Sequence, residues 1–136
     1  DMVRVMYLGA CVHKDAYADA TLMGAYKALE MATIDGARAC LWEDEIGSLE
    51  AGKRADITLV DMSGIEWHPG RHPVTNLVYS ATGRSVDTVI IDGHIVMRKR
   101  VLLTVDEERL KHQLVEASGA WRQRAGVSIP SPWPVI

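Results

Sequence analysis

The chain has 136 residues, 48% of them hydrophobic and 24% charged, with a net charge of −3. This is the makeup of an ordinary folded domain and excludes a disordered tail or a fibrous repeat. Such a length can bury roughly two thirds of the unfolded surface, so one domain with a real core needs no disulfide or metal staple. The only basic cluster is the short Arg98-Lys99-Arg100 run, and no apolar stretch approaches about 18 residues. Neither nucleic acid nor a membrane is therefore an expected partner.

In chain order, the first third reads as helix. Met2, Val5, Met6, Leu8, Gly9 and Val12 recur near the 3.6 period and predict an amphipathic helix to about Lys14, followed by a polar connection from Asp15 to Asp19. Thr21 is the expected N-cap of a second helix carrying Leu22, Ala25, Leu29, Ala32, Ala37 and Cys40, whose small residues permit close helix approach. Gly36 inside that pattern costs about 1 kcal/mol relative to Ala and marks a tight contact or a local break. Met2, Met6, Met23 and Met31 at near-helical spacing read as core filler rather than the lining of a cofactor box.

After Trp42 the pattern changes. Ala55 to Asp61 alternates as a strand, Ser63 to Pro73 is a Pro- and Gly-punctuated loop, and Pro73 suits the first turn of a short helix to Ala81. Val86 to Ile91, then Asp92-Gly93, then His94 to Met97 predicts a β-hairpin, because Asp-Gly supplies the two positive-φ positions of a type I′ turn. Thr104-Val105-Asp106-Glu107 matches a capping box opening a terminal helix through Leu110, Leu114 and Ala117 toward Trp121. The tail from Ser128 to Ile136, with Pro130, Pro132 and Pro134, is expected to lie extended. Three or four strands make a small sheet with open edges and apolar residues on both faces, so something should pair with it.

The residues offer little chemistry. Pro69-Gly70-Arg71 between His68 and His72 forbids the i, i+4 helical geometry of a zinc motif, so both imidazoles read as solvated loop groups. His13, His94 and His112 lack partners at ligand spacing. Glu43-Asp44-Glu45 reads as a solvated charge run, and Asp56, Asp61, Asp87 and Asp92 as turn and edge residues. Ser48 and Ser80 sit in no nucleophile elbow, and no phosphate-cradling glycine loop is present. Lys53-Arg54 after Gly52 could hold a phosphate, although a turn before a strand explains it more simply. Cys11 and Cys40, without CxxC spacing, read as buried thiols in a reducing cytoplasm.

Two segments carry a resemblance. Ala28-Leu29-Glu30-Met31-Ala32-Thr33-Ile34-Asp35-Gly36-Ala37-Arg38-Ala39, followed by Glu45 to Ile57 (EIGSLEAGKRADI), resembles the C-terminal signature of the amidohydrolase superfamily. The similarity is greatest to its heterocycle-deaminating and chlorohydrolase branch, which includes methylthioadenosine/S-adenosylhomocysteine deaminases, guanine deaminases and triazine hydrolases. Leu77 to Ala81, Val86 to Gly93 and Leu103 to Glu107 continue the match, which reaches about residue 115.

The resemblance implies an α+β piece of a larger protein. Residues 1–42 would be the last helices of a metal-bearing (β/α)8 barrel. Residues 43–103, with a short helix near 73–81, would be the C-terminal strands of a composite β-sandwich. Residues 104–136 would be a C-terminal helix and an extended tail. The sheet's missing neighbours would come from the N-terminal remainder of the same protein. The family's metal, zinc or alternatively iron, is held by histidines and an aspartate that match positions before Asp1, and Asp1-Met2 matches the opening of the following helix. No catalytic or metal residue is therefore carried onto this chain, and the substrate-binding residues stay unassigned. The start at Asp1, without Met or a leader pattern, agrees with this. One departure is His72, which stands where the family commonly has an acid before Pro73. The implied parent is a cytoplasmic, homo-oligomeric hydrolase acting on C–N or C–halogen bonds of a small nitrogen heterocycle, and this chain alone is expected to be inactive. The alternative is a standalone, non-catalytic scaffold or interaction module derived from the family, using Trp121, Trp133 and the proline-rich tail as its contact.

Overall fold

The computed structural model describes residues 1–127, which separate into two compact units, the first spanning Asp1–Leu103 and the second beginning at Thr104. In the first unit a helical layer comprises α1 (Met2–Ala16), α2 (Ala25–Ala32), α3 (Ile34–Ala39) and α4 (Pro73–Tyr79). A four-stranded antiparallel sheet comprises β1 (Ile57–Val60), β2 (Val86–Ile91), β3 (His94–Arg98) and β4 (Val101–Leu102), in that spatial order. Single 3-10 turns cover Ile65–Trp67 and Gly83–Ser85. The second unit contributes α5 (Glu107–Ala125). The two units replace the single domain that the length alone suggested.

The core lies between helices. Val3, Met6 and Ala10 of α1 pack with Ala25 and Ala28 of α2 and with Val78 of α4, which is fully buried. Three of these six positions are alanines, so the helices approach closely, as the small-residue pattern predicts. α1 begins where Asp1 accepts a hydrogen bond from the Arg4 amide at 3.2 Å, and α4 begins at Pro73 in the first helical position. Among the methionines Met6 is buried, whereas Met2 and Met31 are exposed, which corrects their reading as core filler.

The second predicted helix differs in three respects. It starts at Ala25 with Gly24 as N-cap, because the Thr21 amide and hydroxyl both donate to the Asp19 carboxylate (2.8 and 2.6 Å) and hold Thr21 in a turn. It breaks at Thr33 (φ −124°, ψ −100°), whose hydroxyl donates to the Leu29 carbonyl at 2.8 Å. Gly36 lies just beyond the break, where a Cβ would stand 3.1 Å from the Met31 carbonyl oxygen. α3 then closes in a Schellman-type turn, with Trp42 N–H on the Ala37 carbonyl and Leu41 at φ +59° in the place glycine usually takes.

The hairpin forms as predicted. Ile91 pairs with His94 around Asp92 (φ +50°) and Gly93 (φ +77°). A second two-residue turn follows at Lys99 (φ +51°) and Arg100 (φ +63°), pairing Arg98 with Val101. What reads as a basic run in sequence is thus a hairpin corner. Arg100 anchors it by donating Nε–H to the Arg84 carbonyl, Nη2–H to Asp61 Oδ2 (both 2.7 Å) and its backbone amide to the Asp87 carbonyl. α5 opens two residues later than the capping box predicts, because Asp106, not Thr104, accepts from the Arg109 amide at 3.0 Å. It ends at Gly126 in the left-handed region (φ +61°). Pro130, Trp133 and the rest of the predicted extended tail lie outside the described residues.

Candidate functional site

Within the first unit, the helical layer and the sheet leave an apolar trough of about 820 Å³ between them. Met2, Met6 and Leu29 line it from the helices, and Ile57, Val89 and Met97 from the strands. β1 forms one edge of the sheet, so its outer backbone groups have no strand partner among the described residues. Such an edge beside an apolar trough is a surface built to be covered.

The turn that closes one end of the trough is tightly specified. Gly47 has φ +91°, and a Cβ there would stand 2.7 Å from the Ala37 Cβ and 3.0 Å from the Ile34 Cα. The Lys53 ammonium holds the same turn by donating to the Glu43 carbonyl and to Ser48 Oγ. Arg54 bonds Glu45 (Nε to Oε2, 2.7 Å) and lies 3.4 Å from Asp92. The Glu45 hydrogen bond, then the Asp92 charge, raises the guanidinium pKa. Lys53 and Arg54 are thus committed to carbonyl and carboxylate partners, and the phosphate-holding alternative falls away.

The carboxylates serve the backbone. Asp1 also accepts from the Gly83 amide at 3.2 Å, tying the start of α1 to the turn before β2. Asp56 accepts from the Asp92 amide at 2.7 Å, fixing β1 to the hairpin turn. Asp61 accepts from Ser63 and from Arg100; these bonds, Ser63 first, hold its pKa down at about 2. The imidazoles are dispersed: His68 meets the Gly64 carbonyl, His94 meets the Asp92 carbonyl, and His13 stacks on Tyr17. His72 precedes α4 without capping it through its side chain, and His112 lies on α5. Among the described residues, no three His, Cys, Asp or Glu side chains converge as a metal site. Cys11 and Cys40 are free thiols, and Cys40 is exposed rather than buried.

Two features of the first unit have no sequence signature. Trp67 is buried, with its backbone carbonyl accepting from the Asn76 side chain at 2.8 Å and no partner for its indole Nε1 among the described residues. Lys14 donates to the Tyr79 hydroxyl at 2.5 Å while lying over its ring, which locks α1 to α4. Lys14 and Tyr79 stand 65 residues apart, and the Trp67–Asn76 bond spans a loop and a helix start, so neither spacing nor composition announces them.

Comparison with known proteins places this arrangement. The amidohydrolase family model matches residues 1–96. A 5-methylthioadenosine/S-adenosylhomocysteine deaminase of Acetivibrio thermocellus is 47% identical over 116 residues, covering 85% of this chain and 27% of the relative. An S-triazine hydrolase of Gordonia rubripertincta is 37% identical over 140 residues, covering 100% of this chain and 29% of the relative. The crystal structure of an adenosine deaminase from Xanthomonas campestris with bound zinc superposes with a TM-score of 0.80 at 36% identity, covering 91% of this chain and 27% of that one. The chain therefore spans between a quarter and a third of the length of these relatives. Because the family model matches residues 1–96, well over half of its length, the chain belongs to the amidohydrolase family.

Proposed function

We propose that this chain is the C-terminal share of a metal-dependent hydrolase that acts on C–N or C–halogen bonds of a small nitrogen heterocycle, most simply as an aminohydrolase. The observation that carries the reading is the 47% identity to a deaminase more than three times the length of the matched segment. The apolar trough and the open edge of β1 support it, since both need covering by further chain. In this reading residues 1–42 are terminal barrel helices, 43–103 are the C-terminal strands of a composite sandwich, and 104–136 are the closing helix and tail. The free cysteines fit a reducing compartment such as the cytoplasm, and assembly as a homo-oligomer is part of the same proposal.

The zinc in the Xanthomonas campestris structure supports a divalent metal, zinc or iron, in the complete enzyme. The donors described in this chain do not fit such a group. Its histidines are exposed and dispersed, and the carboxylates of Asp1, Glu45, Asp56 and Asp61 are occupied by backbone amides and arginines. No catalytic step is therefore assigned to these residues; their part is to seat and brace the rest of the enzyme.

The test compares the 136-residue chain with the protein encoded by the full open reading frame around it. Elemental analysis should find no stoichiometric metal on the chain alone, and it should release no ammonia from 5-methylthioadenosine or related aminoheterocycles. The longer protein should hold about one metal per chain and release ammonia or halide from a heterocycle. About one tightly held metal on the 136 residues alone would overturn the assignment.

A further inference from the structure

We draw no further inference here: the strongest candidate, the apolar trough between the helical layer and the sheet of the first unit, belongs to the site already described, and nothing in the structure shows what covers it.

Discussion

Gly47 meets two demands at one position. Its φ of +91° is strained for any L side chain, and the space a Cβ would need is already taken by Ala37 and Ile34. Gly47→Ala should therefore destabilise the first unit by about 2–4 kcal/mol, read as a lower urea midpoint at unchanged slope. Glycine is a visible signal in the sequence, but the partner it must admit is not, because Ala37 lies ten residues away on the preceding helix. The same limit explains Thr21 and Thr104, which look like caps and are not. A nearby aspartate offers the better geometry in each case: Asp19 captures Thr21, and Asp106 caps α5 itself. Lys53 was ambiguous in sequence for a related reason, since only the folded turn brings the Glu43 carbonyl and Ser48 to its ammonium.

Among the elements, those specified by local chemistry were readable and those specified by packing were not. Asp92-Gly93 announces its hairpin because both residues tolerate positive φ, and Pro73 announces α4 because a helix start needs no N–H there. Lys99-Arg100 announces nothing. Its positive φ values are held by the three hydrogen bonds of Arg100 rather than by intrinsic preference. The break between α2 and α3 was likewise hidden, because Thr33 and its neighbours have ordinary helical periodicity and the interruption comes from a side chain bonding back to Leu29. α1, α2 and α4 meet where Val78 is fully buried against alanines, which have no side chain long enough to fill a void. Val78→Ala removes two methyl groups there and should cost about 1.5–3 kcal/mol in chemical denaturation, from lost transfer energy plus the residual cavity.

For the whole molecule, the composition conceals how the apolar residues are distributed. A 48% hydrophobic content is ordinary, yet much of it is exposed: Leu41, Trp42, Leu49, Leu59 and Ile65 are each at least half accessible. Apolar surface on this scale marks an interaction surface, and in the proposed function the remainder of the enzyme covers it. The candidate site was accordingly seen in sequence only as a deficit, a sheet short of neighbours, since a trough arises from the placing of two layers and no single segment encodes it. If further chain covers the trough and the edge of β1, amides of Ile57–Val60 that face away from β2 should exchange with solvent at least tenfold more slowly in the full-length protein than in these 136 residues. Equal exchange in the two would place the covering elsewhere.

The Arg100 corner has one more consequence. A single guanidinium there joins the loop after β1, the 3-10 turn before β2 and the β3–β4 turn, and it does so with half its surface in water. Its bond to Asp61 is exposed to screening by dissolved ions, whereas the alanine-lined helix contacts are not. Ionic strength should therefore act on this molecule selectively: rising salt should modestly loosen the tie between the loop after β1 and the β3–β4 turn, as for any exposed ion pair, while leaving the helical layer unchanged.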